Sequence, residues 1–398
     1  MKSLILIIIL LNLTPNTSPT TGAGLGAGAG ALNDPNTPGL NATAGVGMPL
    51  AAPRMVNFNH PKSSARESAA QKGTSRNGQR RSQQTNAPDT TAPDTANSPR
   101  TDLTSGPLHA RFYLPDARTG YYRSTRFDWS GIIANLDYKG HTFFGRWNSR
   151  YDPTLNDAIL GPVESFTPVG YDQAQPGGAF LQLGVGILTR PDTVRYSPFR
   201  YYPIQNPGNW NISKAAGAIS FRQDLNVAGY SYVYIKTIIL DPGQPRMTIT
   251  HTLKNTGDKP LESDVYNHNF FVFDTLNVGP GRVLKLPWTP ISTPADQNVF
   301  DSLAAINGDS ITIRQPFAPR RSFYTLLTGY TDKPADYDLR LEERRAGTGV
   351  RIRADRPLVK LAYWASLKTA CPEPFIHIKA APGETITWTL TYDFYTTN

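Results

Sequence analysis

Near the C-terminal end of the chain, the run Cys371-Pro372-Glu373-Pro374-Phe375-Ile376-His377-Ile378 sets a carboxylate between two prolines. Proline fixes φ and removes an amide donor, so this triplet is expected outside any central strand, presenting Glu373 from a rigid extended turn. A second run, Asp264-Val265-Tyr266-Asn267-His268-Asn269-Phe270-Phe271, gives an imidazole a comparable setting. A carboxyl and an imidazole are enough for general acid and base work. Metal chemistry is not expected, because no Cys, His and Asp set has ligand spacing, and no Gly-rich phosphate loop opens a helix.

The elements that must position these groups read as strands. Between about residues 106 and 398 the chain carries period-2 or β-rich runs at 131–138, 180–188, 230–240, 247–254, 283–286, 323–329, 337–343, 350–353, 358–364 and 385–395. Turn signals such as Asp241-Pro242-Gly243 and Asn255-Thr256-Gly257-Asp258 separate them. In Thr385-Ile386-Thr387-Trp388-Thr389-Leu390-Thr391-Tyr392 the large side chains alternate with threonine, which suits a strand with one buried and one wet face. No amphipathic segment of helical length competes. So many strands in one domain predict an all-β fold, a large antiparallel sandwich.

The N-terminal part differs in kind. Lys2 precedes the apolar run Leu4-Ile5-Leu6-Ile7-Ile8-Ile9-Leu10-Leu11, too short for ~30 Å of hydrocarbon and suited to a signal-peptide core. Residues 1–22 are therefore expected to be a signal peptide, with a secreted or periplasmic mature chain and no membrane span. Residues 23–105, rich in Thr, Pro, Asn, Gly, Ala and Ser, are expected to be a disordered leader, because they hold too little apolar surface to offset ordering entropy. The net charge of +9 is shared between tail and body, and no aromatics interleave the basic residues Arg66, Lys72, Arg76, Arg80 and Arg81, so a nucleic-acid partner is not expected. The one cysteine, Cys371, excludes an intrachain disulfide. A body of about 290 residues, 106–398, is large enough to hold itself by its core, with Cys371 expected as a packed, unpaired thiol.

Three stretches in order resemble the galactose mutarotase-like superfamily, the aldose 1-epimerases and their relatives: Gly131 to Gly140, Tyr266 to Phe271, and Cys371-Pro372-Glu373-Pro374 followed by Pro382-Gly383-Glu384. The resemblance spans residues 120 to 395 and implies a β-supersandwich of two large twisted sheets. It implies cofactor-free opening of a sugar hemiacetal, with Glu373 matching the family base and His268 the family acid, on opposite sides of the ring and roughly 5–8 Å apart. Two departures mark a divergent branch. Tyr121-Tyr122-Arg123-Ser124-Thr125-Arg126-Phe127-Asp128-Trp129 has no counterpart in the epimerases, and the region 152–164, which matches the family's His-bearing loop, has no histidine. Asn156 could still donate a hydrogen bond there, and His141 is a possible substitute.

Sugars are held by aromatic stacking and by hydrogen bonds from charged side chains, which makes Arg126, Trp129, Arg146 and Glu164 candidates for substrate binding, with Trp147 beside them. The expected partner is a mono- or oligosaccharide. Three functions stay open: aldose 1-epimerase-like chemistry, glycan binding without turnover, and a polysaccharide lyase or glycoside hydrolase on the same scaffold.

Overall fold

The computed structural model describes residues 97–227 and 229–397. The expected signal peptide and the leader up to residue 96 lie outside the described residues. Strand residues alternate inward and outward along most of the chain, as the threonine pattern predicts. In Arg246–Asn255 the side chains of Met247, Ile249, His251 and Leu253 are buried, and in Thr385–Thr396 those of Trp388, Leu390, Tyr392 and Phe394. A fully buried Leu or Phe contributes about 1.5–3 kcal/mol, so these rows are what holds one sheet to the next.

Among the described residues, two large antiparallel sheets result. The first has ten strands, in the order Ala304–Asn307, Ser310–Ile313, Arg282–Lys285, Asp338–Glu343, Thr348–Ala354, Thr385–Thr396, Arg246–Asn255, Tyr230–Leu240, Ala218–Val227 and Asn209–Ala215. The second has six: Ile291–Pro294, Ser322–Thr328, Lys360–Ser366, Ala370–Ala380, Leu261–Phe270 and Gly161–Phe166. The main core lies between them. A second apolar cluster, with Tyr122, Phe127, Trp129, Val163, Tyr202, Phe270 and Cys371, covers the far face of the six-stranded sheet. The fold is the expected all-β antiparallel sandwich, with one short α-helix among the described residues, Gln297–Leu303.

Three expectations change. The Pro-Glu-Pro triplet is not in a turn; it lies inside Ala370–Ala380, a central strand of the six-stranded sheet. The run 180–188 is two strands, Ala179–Gln182 and Gly186–Thr189, broken around Gly184, whose φ of +75° no strand holds. The boundary placed after residue 105 cuts a hairpin: Arg100–Ser105 pairs along its whole length with Leu108–Tyr113, and its Leu103 is buried.

Candidate functional site

The prolines are tolerated mid-sheet because their missing donors face one neighbour only. Asn269 Nδ2 donates to the Pro372 carbonyl at 2.8 Å, so Pro372, and Pro374 two residues on, turn their nitrogens toward Leu261–Phe270. The ladder with that strand runs from Leu261–Ala380 to Tyr266–Phe375 and stops. On the opposite edge the pairing with Lys360–Ser366 continues through Tyr363–Pro372 to Ala365–Ala370. Where the first ladder stops, the Asn269 side chain supplies the bond that a backbone amide would have made. Glu373 and His268 sit across this interruption.

Their side chains are in contact, His268 Nε2 to Glu373 Oε1 at 3.3 Å, with side-chain exposures of 5% and 8%. The two groups therefore lie on one face, closer than the 5–8 Å expected of a pair that brackets a sugar ring. Burial pushes the Glu373 carboxyl up to about 7, against the pull of Arg126 and Lys360. Burial, and then the Arg126 charge, hold His268 well below the usual imidazole range. Near neutral pH the imidazole is uncharged, and the pair gains or loses its proton within the working range. His268 packs flat on Phe270 at 3.7 Å and edge-on to Phe127 at 5.7 Å, which fixes its ring plane.

Around the pair stands a mixed aromatic and charged rim. Arg126 Nη1 donates to Asp157 Oδ1 at 2.5 Å and Nη2 to the Tyr266 hydroxyl at 2.9 Å. The Arg126 guanidinium also lies 4.6 Å from the Phe127 ring centroid and 4.8 Å from that of Phe199, which is 63% exposed. Tyr266 stacks on Phe375 at 4.3 Å, and Lys360 Nζ lies 3.6 Å over the Phe375 ring. Half-buried Tyr324 and Trp364 continue the face on the neighbouring strands.

Of the residues singled out in the sequence, Arg126, His268 and Glu373 come together. Trp147 borders them, stacked on Phe270 at 4.9 Å and edge-on to Trp364 at 5.3 Å, and the others do not join them. Trp129 is core, its Nε1 donating to the Ser124 carbonyl at 2.8 Å. Arg146 is spent on the carbonyls of its own loop, Asn148 and Ser149, beside a narrow crevice lined by Tyr121 and Tyr151. Asn156 accepts from Ser124 Oγ and the Thr125 amide and donates to the Pro198 carbonyl, so it serves the loop rather than a ligand. His141 is held by Asp274 at 2.8 Å. Glu164 is fully buried between the sheets, because on Gly161–Phe166 it is Val163 and Ser165 that pair with His268 and Tyr266 and share their face, while Glu164 points the other way. Cys371 is buried and unpaired, as expected, beside Thr369 Oγ1 at 3.3 Å.

Sequence reasoning missed Tyr266, Phe375, Lys360 and Asp157. Two of them had a signal: Tyr266 and Phe375 stand two residues from His268 and Glu373 and so share their faces. Lys360 and Asp157 reach the site through register and loop path. Elsewhere, a cleft of about 440 Å³ on the ten-stranded sheet is lined by Tyr337, Asp338, Arg351, Arg353, Asp355 and Thr389, and the acid–base pair takes no part in it.

No family model and no curated protein matches the chain. Many solved structures similar to it are galactose mutarotase-like or aldose 1-epimerase proteins. A galactose mutarotase-like protein from Clostridium acetobutylicum has a TM-score of 0.48 at 11% identity, covering 76% of this chain and 97% of its own. A galactose mutarotase related enzyme from Lactobacillus acidophilus has 0.47 at 12%, covering 75% and 98%. An aldose epimerase homologue from C. elegans has 0.45 at 13%, covering 76% and 100%. These figures concern architecture and assign no residue a role.

Proposed function

We propose that this chain is a secreted carbohydrate-active protein that moves a proton at the anomeric centre of a sugar, without a cofactor, through Glu373 and His268. The observation that carries the reading is the contact between a carboxyl poised near neutrality and an uncharged imidazole, on a face rimmed by Arg126, Tyr266, Phe375 and Lys360. Opening a hemiacetal needs one proton removed from the anomeric hydroxyl and one delivered to the ring oxygen. Both oxygens are bonded to the same carbon, so a touching acid and base can serve them from one side. The electrostatics favour roles opposite to those the resemblance implies: Glu373, protonated, delivers to the ring oxygen, and uncharged His268 accepts from the hydroxyl through Nε2, the nitrogen that faces Glu373. Ring closure on either face of the opened aldehyde reverses both transfers. Tyr266, Phe375 and Trp364 offer ring faces to the sugar's C–H surface.

A second reading, glycan binding without turnover, is favoured by the low exposure of both side chains, which leaves only their edges for a ligand. NMR of the purified protein with a panel of aldoses and oligosaccharides separates the two. Wild-type protein is expected to speed anomer exchange, and Glu373→Gln to lose about 10²–10⁴-fold of that rate while keeping ligand-induced shifts. Shifts without exchange in the wild type would establish binding alone, and shortened oligosaccharides would replace both readings with glycan cleavage.

A further inference from the structure

The segment Asp128-Trp129-Ser130-Gly131, just beyond the Phe127 that packs on His268, leads into a cluster of ionisable groups sealed between the two large sheets. Lys236, Glu164, Asp128 and His251 all have fully buried side chains. Lys236 Nζ contacts Glu164 Oε2, donates to the Ser130 carbonyl at 3.1 Å and lies 3.8 Å from Asp128 Oδ2. The other oxygen of Glu164, Oε1, is held at 2.8 Å by His251 Nε2 and at 2.9 Å by Asn267 Nδ2. Asp128 is fixed by the Ser130 amide and hydroxyl at 2.8 and 2.7 Å and by the Tyr234 hydroxyl at 2.9 Å. Backbone comes unusually close: a Cβ on Gly131, at φ +65°, would lie 3.3 Å from Lys236 Nζ, and one on Gly184 would lie 2.7 Å from Asp128 Oδ1.

A buried ion pair is a weak stabiliser, because the desolvation of each charge offsets their attraction. The same arrangement is well suited to removing the charges by chemistry. An amine touches one carboxyl oxygen, two N–H donors hold the other where negative charge would gather, and a second carboxylate, Asp128, stands beside the amine. We propose that Lys236 and Glu164 condense to an intramolecular isopeptide bond, a covalent staple between the Tyr230–Leu240 strand of the ten-stranded sheet and the Gly161–Phe166 strand of the six-stranded one.

In that step Asp128 takes a proton from the ammonium, and the freed Nζ attacks Cδ of Glu164. Oε1 carries the developing charge, stabilised by Asn267 and by His251 in the tautomer that donates from Nε2. Asp128 passes that proton to Oε2, takes a second from the nitrogen now bonded to Cδ and passes it on as well, and the C–Oε2 bond breaks. Two of the three ammonium protons leave with Oε2 as one water, the third stays on the amide nitrogen, and no electrons are exchanged. Burial raises the Asp128 carboxyl, which suits a group that must hold a proton and hand it on. The product is a neutral amide in a dry core, where the reactants were two charges.

Tryptic mapping of the full-length wild-type protein tests this without relying on any variant. The expected species is a branched one joining peptide 151–195 to peptide 223–246, lighter than their sum by one water, with the branch at Lys236 and Glu164. Asp128→Asn, which keeps the side-chain shape but cannot carry the proton, is expected to cut the branched fraction at least tenfold. Lys236→Met is expected to abolish it. Unbranched peptides from folded wild-type protein, or a branch from Lys236 to Asp128, would overturn the assignment.

Discussion

Glu373 and His268 bear opposite pH signatures, because burial acts on a carboxyl and an imidazole in opposite directions. The Glu373 carboxyl stands at about 7 in the fold against an ordinary value of 4.5, so between those values the native state binds more protons than the unfolded chain. Its contribution is complete below the unfolded value and is lost as pH rises through the folded one. Glu373→Gln stays neutral throughout. The variant is therefore expected to gain on the wild type as pH rises from about 4 to 8, by up to about 3 kcal/mol, as read from urea midpoints. His268, lowered by burial, contributes above its unfolded value and loses as pH falls, a trend of opposite sign to that of Glu373. An unchanged gap across the range would show that Glu373 titrates normally. At this scale the sequence was informative about residue type: the Pro-flanked Glu373 and the strand-borne His268 do meet. What it withheld was which neighbours share their face. Glu164 and Val163 differ by one position, and a period of two makes that one position the difference between site and core.

Strand pairing is where the prolines matter. Pro372→Ala would restore an amide aimed at Leu261–Phe270. The expected result is an extended ladder, seen as a newly protected amide in hydrogen exchange, with anomer exchange reduced and stability changed by less than about 1 kcal/mol. An unprotected new amide would mean the interruption is set by Asn269 and not by the prolines. The triplet was misread as a turn because the rule against proline in central strands assumes that both edges need donors; here donors are missing on one edge only, where the Asn269 side chain donates to the Pro372 carbonyl. The domain boundary failed for a related reason. Arg100–Ser105 has only one buried apolar residue, Leu103, so composition alone placed it with the polar tract, while its partner strand decided otherwise. Expressing residues 106–398 is accordingly expected to give a protein less stable than residues 97–398, by about 2–5 kcal/mol if Leu103 acts as an ordinary core leucine. Equal melting temperatures would return the strand to the leader.

Over the whole molecule, Cys371 reports on global opening. It is fully buried within a central strand, and burial pushes its thiol well above the ordinary range. Labelling by a thiol reagent under native conditions is expected to track complete unfolding, and to accelerate with denaturant along the same slope as the global transition. Rapid labelling in buffer would place the cysteine in a region that opens by itself. The general architecture was legible because strand periodicity and turn residues recur along most of the body. Its layering was not, since nothing in the alternation says which of two sheets a strand joins.

The order of strands also governs how the protein can be made. Ala370–Ala380 and Thr385–Thr396 are the last two strands of the domain in sequence, yet each fills an interior position of its sheet. During synthesis, five strands on one side of the ten-stranded sheet and four on the other have no central member to join them until Thr385–Thr396 has been made. The nascent chain must carry two half-sheets with unpaired edges through most of translation, a state prone to sticking to its neighbours. The ten-stranded sheet can therefore close only after its last strand in sequence has emerged. Loss of Thr385–Thr396 would leave the ten-stranded sheet in two pieces, a heavier loss than removal of Asn209–Ala215 at its edge.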